Sequence, residues 1–140
     1  MLIVKTELKQ KKDGTIGVFA AQNISFDQRV IKAEHVIDRW FYHQQIINDN
    51  LLEFFQRYGV YSDEKGSWHL YGDNARFIAH SVHNTVVQNG LHCYAAAKIN
   101  KGEELTFNYL IHCDWVKTHG LKFRMPHRKD YFRNPAYAQH

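Results

Sequence analysis

The residues of this chain most able to do chemistry are its ten histidines, its two cysteines and a scatter of glycines in turn contexts. His80 and His83 are spaced i,i+3, and His112-Cys113 precedes His119. Imidazoles and thiolates at such spacings are metal-ligand types, but nowhere do four of them fall in a recognised zinc arrangement, so no metal site is expected. No glycine-rich loop carries the lysine and the Ser/Thr that cradle a nucleotide phosphate. Cys113 with a distant histidine has the elements of a thiol nucleophile, but a cysteine at a buried strand end is more often structural. Cys93 and Cys113 alone make no disulfide framework, and reduced thiols in an intracellular protein are the expectation.

The elements that must position any site are mostly short strands. Val4, Thr6 and Leu8 alternate with Lys5, Glu7 and Lys9, the period of a strand with one apolar face. Lys12-Asp13-Gly14 is a turn, Gly17–Ala21 a short buried strand, and Val30-Ile31 and Val36-Ile37 flank further strand-like sequence. From Asn50 to Tyr58 the pattern is helical. Leu51, Leu52, Phe54, Phe55 and Tyr58 share a face, Asn48, Asp49 or Asn50 can cap it, and Gly59 can end it. Trp68–Tyr71 reads as strand. Thr85-Val86-Val87, then Asn89-Gly90, then Leu91–Ile99 is a hairpin with Asn-Gly as its turn. Asn100-Lys101-Gly102 turns the chain into a strand over Glu104–Leu110.

Composition narrows the class. A chain of 140 residues is one domain by length and can fold without staples. Its 14% aromatic residues and two prolines argue against disorder. No apolar run approaches about 18 residues, so no membrane span is expected, and Met1-Leu2-Ile3-Val4 is too short for the apolar core of a signal peptide. The net charge of +4 is local: residues 117–140 carry six basic groups against Asp130 alone, while the rest is near neutral. Phe123, Tyr131, Phe132 and Tyr137 interleave with those charges. That favours a segment packed on the body over a polybasic arm for nucleic acid.

Three segments together say more than any part. They are Asp13-Gly14-Thr15-Ile16-Gly17-Val18-Phe19-Ala20, Gly72-Asp73-Asn74-Ala75-Arg76-Phe77-Ile78-Ala79-His80-Ser81, and Ile99-Asn100-Lys101-Gly102-Glu103-Glu104-Leu105-Thr106-Phe107-Asn108-Tyr109. In order, separation and wording this chain resembles the SET-domain protein lysine methyltransferases over about residues 3–115. The resemblance implies a mostly β fold of several small curved sheets with few helices and a knot-like C-terminal threading. It implies a minimal SET domain over 1–116, without flanking zinc segments, in which about 40–65 is the variable insert that helps shape a substrate groove. Residues 117–140 would then be a basic, aromatic C-terminal segment packed on the domain.

The resemblance further implies the cofactor S-adenosylmethionine and a protein substrate presenting a lysine, a histone or another protein. Tyr109 matches the family's catalytic tyrosine, its hydroxyl beside the transferred methyl and the amine. Ile16 and Gly17 match the turn whose backbone approaches the methionine part of the cofactor, Gly17 permitting that approach by lacking a side chain. Ala79 and His80 match the pair that holds the cofactor's amino-acid end and borders the adenine. Trp115 is the candidate aromatic beyond Tyr109 that stacks on the adenine. Asp73 and Asn74 are expected to fix their loop by side-chain to backbone bonds.

The chain departs from the family pattern in ways that bear on the cofactor. Ala79 stands where an Asn is usual, and losing a hydrogen bond to a charged ligand group costs about 1.5–3 kcal/mol. Thr15 stands where the turn often has its first glycine, with Gly14 able to compensate. Val82 replaces a cysteine as a buried swap, His83-Asn84-Thr85 replaces Asn-Pro-Asn, and Asn108 replaces an Asp. The leading expectation is an active protein lysine methyltransferase. The alternative is a catalytically weak SET-like module that binds protein or nucleic acid, the two being separated by cofactor binding.

Overall fold

The computed structural model describes residues 1–121. Its strands are β1 (Thr6–Gln10), β2 (Ile16–Ala20), β3 (Arg29–Ile31), β4 (Arg39–Tyr42), β5 (Gly59–Ser62), β6 (Ser67–Leu70), β7 (Ala79–His80), β8 (Val86–Asn89), β9 (His92–Ala95) and β10 (Glu104–Phe107). Its helices are α1 (Asp49–Tyr58), α2 (Tyr109–His112) and α3 (Asp114–His119). The chain divides into two compact units. One joins Met1–Arg39 to Tyr71–Asn108, and the other joins Trp40–Leu70 to the residues from Tyr109 onward. The fold is mostly β with few helices and several small sheets, as the sequence implies. The expected insert at 40–65 falls within the second unit. The C-terminal segment expected over 117–140 lies outside the described residues from 122 on, and Lys117 to His119 end α3.

In the first unit, one sheet runs β1-β2-β10-β7 and another β3-β9-β8. Val18 of β2 lies opposite Leu8 on one side and Leu105 on the other. Val18 and Leu105 are fully buried, with Ile24, Val30, Ile31 and Ile99 completing the core. β10 runs antiparallel to β2 and parallel to β7, where Thr106 faces Ala79 and Phe107 faces His80. Beyond β7 the chain stays clasped to β10. Thr106 donates its N–H to Thr85 Oγ1 (2.9 Å), and Thr85 donates its N–H to Thr106 Oγ1 (3.1 Å) and its own hydroxyl to the Glu104 carbonyl (3.1 Å).

Local chemistry moved several boundaries. β1 begins at Thr6 and is an outer strand, so the alternation read from sequence leaves Leu8 41% exposed rather than buried. Val36-Ile37 is a turn and not strand. Asp38 Oδ2 accepts the Glu34 N–H (3.0 Å), and the Glu34 carbonyl accepts the N–H groups of Ile37 and Asp38, so side-chain bonding closes the loop. The hairpin turns on Gly90-Leu91 instead of Asn89-Gly90, with Asn89 paired to His92. Only Gly90 takes a positive φ there (66°), since Asp27 is the sole non-glycine residue that does so among those described. β9 stops at Ala95, and Ile99 makes an isolated bridge to Ile24. β10 stops at Phe107, and the expected continuation to Leu110 is helix α2, closed by the Cys113 N–H on the Tyr109 carbonyl (3.0 Å).

The second unit carries the sheet β4-β6-β5 with α1, α2 and α3. Asn48 caps α1 by accepting the Leu51 N–H on Oδ1 (2.8 Å), and Gly59 ends it. Gly59 is required for close approach: a Cβ there would lie 2.9 Å from both the Phe55 carbonyl oxygen and Trp68 Cε3. Only Phe55 of the helix's apolar face is buried, against fully buried Trp68.

Two tests follow from this packing. Thr85→Val keeps the shape but leaves the Thr106 N–H without its acceptor inside the sheet, and should cost about 1–3 kcal/mol of unfolding free energy in a denaturant titration, whereas Thr118→Val on exposed α3 should change little. Cys93 is buried beside the Tyr71 hydroxyl (3.7 Å), and burial pushes its thiol up to about 11. It should therefore stay protonated and resist iodoacetamide at neutral pH, reacting only at the rate of unfolding; rapid labelling of the native protein would contradict this.

Candidate functional site

The turn before β2 is built by Asp13, whose Oδ1 accepts both the N–H (2.9 Å) and the hydroxyl (2.6 Å) of Thr15. Lys11 donates its N–H to the Thr15 carbonyl (2.7 Å), and Gly14 donates to the Lys11 carbonyl (2.9 Å). Gly14 supplies the left-handed residue (φ 87°), so buried Thr15 needs no glycine conformation. Ile16 opens the strand 42% exposed, and Gly17 is buried beside it. A Cβ on Gly17 would lie 2.6 Å from Glu104 Oε1 and 3.1 Å from Phe19 Cε2. The space beside Gly17 is thus filled by a carboxylate, which Lys11 pairs at 2.9 Å. Neither Lys11 nor Glu104 stands out in the sequence as a partner of Gly17, because they are 93 residues apart and only the register of β2 with β10 joins them.

The middle segment is anchored by Asp73. Its Oδ1 accepts the Ala75 N–H (3.1 Å), starting a 3₁₀ turn over Asn74–Phe77, and its Oδ2 accepts the Leu2 N–H (2.7 Å). Asp73 bonds main chain as expected, though half of that bonding is to Leu2, distant in the chain. Gly72 before it could carry no side chain, since a Cβ would overlap the Ile37 carbonyl. The Arg76 guanidinium lies over the Phe77 ring, 5.0 Å from its centroid. Ala79 and His80 form β7, an outer strand, and both are half-buried. Ser81 then donates its N–H to the Phe107 carbonyl (2.9 Å) and accepts the His83 N–H on Oγ (3.1 Å). Val82 corrects an expectation: it sits at a turn and is 62% exposed, so it is no buried replacement for a cysteine.

Four of the sequence-derived site residues therefore come together in one sheet: Ile16 and Gly17 on β2, and Ala79 and His80 on β7, with β10 between. Tyr109 and Trp115 belong to the second unit. Tyr109 is the buried first residue of α2 and not the end of a strand. Trp115 on α3 lies among rings. The His119 ring stacks on it at 3.9 Å and 16°, with Trp68 at 5.2 Å, His43 at 5.3 Å and Tyr61 edge-on at 5.6 Å. His43 accepts the Trp68 indole N–H on Nδ1 (3.1 Å), while the Trp115 Nε1 is buried and finds no acceptor among the described residues. The helix carrying this ring is pinned by Asp114, which accepts the Asp63 N–H (2.8 Å) and pairs with Lys117 (3.0 Å); the Asp63 N–H foremost holds its carboxyl below the ordinary value. Cys113 Sγ accepts the Tyr61 N–H (3.4 Å), a structural role for the thiol. Among the described residues no three His, Cys, Asp or Glu side chains gather as metal ligands, and no helix is long and apolar enough to cross a membrane.

No curated protein sequence matches the chain. Among solved structures it is similar to the apo Polycomb repressive complex 2 of Chaetomium thermophilum with mutant Ezh2, at 19% identity and TM-score 0.63 over 82% of this chain and 16% of that one. The same complex in an autoinhibited conformation bound to S-adenosylmethionine gives 20% identity and TM-score 0.61, over 82% and 16% of the two chains. The Neurospora SET-domain protein DIM-5, a histone lysine methyltransferase, gives 21% identity and TM-score 0.58 over 77% of this chain and 53% of that one. The chain thus spans about a sixth of the Polycomb chains and half of DIM-5, and these likenesses concern the fold. The SET-domain family model matches residues 15–110, which include every strand of the motif sheet except β1, and the chain belongs to the SET-domain family.

Proposed function

We propose that the chain is an S-adenosylmethionine-dependent methyltransferase acting on the side-chain amine of a protein lysine. SET membership supports a methyltransferase role. The observation that supports the finer reading is the motif sheet, where β10 lies between β2, which opens on Ile16-Gly17, and β7, which is Ala79-His80, and ends two residues before Tyr109.

The residues present fit such a cofactor in part. Ile16 is exposed at the start of its strand, and Ala79 and His80 are half-buried on an outer strand, so main chain at both places can serve a zwitterionic amino-acid group. Gly17 fits less simply, because Glu104 fills the space that its missing side chain leaves. Ile16, Ala79 and His80 are the residues of the first unit that would hold the cofactor, with Gly17 shaping the strand beside them; Trp115 as an adenine contact rests on the family resemblance alone. When bound, S-adenosylmethionine supplies an electrophilic methyl group. Tyr109 does the remaining work in this reading. The residue is buried, and a desolvated setting disfavours the ammonium form of a lysine, lowering its pKa toward the nucleophilic amine. Its hydroxyl oxygen can accept an amine N–H and so aim the lone pair in one direction, and such positioning supplies a large share of a barrier.

A second reading, a SET-like protein- or nucleic-acid-binding module of weak activity, draws on Ala79 and on the carboxylate over Gly17. Calorimetry with S-adenosylmethionine separates the two. One site is expected, and Ala79→Asn should tighten it about ten- to a hundredfold by restoring a hydrogen bond to a charged group. No heat with either protein at millimolar ligand overturns the methyltransferase reading.

Tyr109→Phe should leave the melting temperature and cofactor affinity near those of the parent, since the ring still fills its space. Turnover of lysines in a protein extract with a labelled methyl donor should fall about a hundredfold or more. Tyr71→Phe is the control, its hydroxyl being engaged with Cys93 in the core. Unchanged turnover by Tyr109→Phe would place the active centre elsewhere.

A further inference from the structure

Strand β1 is an outer strand, and among the described residues no strand lies beyond it. The Lys5 carbonyl accepts the Ala21 N–H (2.9 Å), and the Lys11 N–H goes to the Thr15 carbonyl (2.7 Å). Odd-numbered residues therefore turn their main chain to β2, and the alternation of an antiparallel ladder turns that of Thr6, Leu8 and Gln10 to the open edge. Leu8 is 41% exposed, although Val18 opposite it on β2 is fully buried. Glu7 and Lys9 lie on the other face, their charged groups 3.6 Å apart, and the Lys9 ammonium also lies over the Phe19 ring, 5.3 Å from its centroid. From Thr6 to Gln10 the side chains run polar, anion, apolar, cation, polar. Read in the opposite direction, the same strand has cation where it had anion. It is therefore its own charge complement.

We propose that β1 pairs antiparallel with β1 of a second copy of this chain about a two-fold axis at Leu8, joining the two β1-β2-β10-β7 sheets edge to edge. In that register Leu8 exchanges both main-chain hydrogen bonds with Leu8 of the copy, and Thr6 does so with Gln10 at either end. The exposed Leu8 side chains lie opposite one another and cover each other. Glu7 faces Lys9 of the copy and Lys9 faces Glu7, in the non-hydrogen-bonded pairs where side chains come closest. Lysines on an edge usually ward off a further strand. Here each Lys9 meets an anion, and a slip of two residues either way would set Lys9 on Lys9 or Glu7 on Glu7, so the charges admit one register. Beyond the strand ends Lys5 would approach Lys11 of the copy, but Glu104 already pairs with Lys11 at 2.9 Å. The pairing does not depend on whether the chain transfers methyl groups.

Sedimentation of the full chain tests this. The parent should pass from monomer to dimer as its concentration rises to about 200 µM, since so small an interface gives weak, reversible association. Glu7→Lys and Lys9→Glu, both at exposed side chains, should each weaken dimerisation about tenfold, because each sets like charges opposite one another. Mixed in equal amounts, the two variants should dimerise with each other about as tightly as the parent does with itself, every facing pair being again opposite in sign. In amide exchange, Thr6, Leu8 and Gln10 should gain protection as concentration rises, while Glu7 and Lys9, bonded to β2, stay protected throughout. A parent that stays monomeric, single variants that dimerise like the parent, or a mixture that does not recover overturns the proposal. So does protection of the Leu8 N–H in the dilute monomer, which would make another segment of the same chain the occupant of the edge.

Discussion

Strand β10 has to be paired on both edges, and the first unit is organised by how that is done. Leu105, Thr106 and Phe107 are all buried, so the strand cannot turn a polar face to water as the outer strand β1 does. A buried backbone must find partners for every N–H and C=O. β2 supplies them along one edge and β7 along the other, but β7 is only two residues long. The following loop takes over where β7 ends, with the Ser81 N–H on the Phe107 carbonyl and the Thr85 side chain and main chain on Thr106 and Glu104. Thr106 is therefore a buried polar residue with a clear reason, since its hydroxyl and N–H both serve the segment that closes over the strand.

That arrangement explains why the motifs could be recognised while their geometry could not. Asp13, Gly14, Asp73 and the Asn48 cap act within a few residues of themselves, and local chemistry of that kind is legible in a sequence. The three motif segments were legible as wording, and the family match over 15–110 agrees with them. What local pattern missed is long-range. Leu8 alternates correctly but lies on an outer strand, 41% exposed; Val36-Ile37 is by contrast a local miss, strand-like residues inside a loop that Glu34 and Asp38 close. Tyr109 reads as part of a strand over Glu104–Leu110, yet the pairing partners of β10 run out at Phe107 and the chain takes helical bonds instead.

Gly17 shows how a correct residue can be chosen for an incomplete reason. A glycine in a turn before a strand suggests room for a ligand. Here its Cα hydrogen faces the Glu104 carboxylate, and any larger side chain would have to displace that group. Glu104 is tied to Lys11, which also donates its N–H to the Thr15 carbonyl. The ion pair thus ties the tip of the β1–β2 hairpin to the central strand, and its half-buried setting lets it hold better than a fully exposed pair would. The glycine then has a structural duty of its own: it leaves room for the Glu104 carboxylate of that pair. Any ligand recognised at this turn must meet the Ile16 main chain or the Lys11–Glu104 pair, rather than an open notch at Gly17.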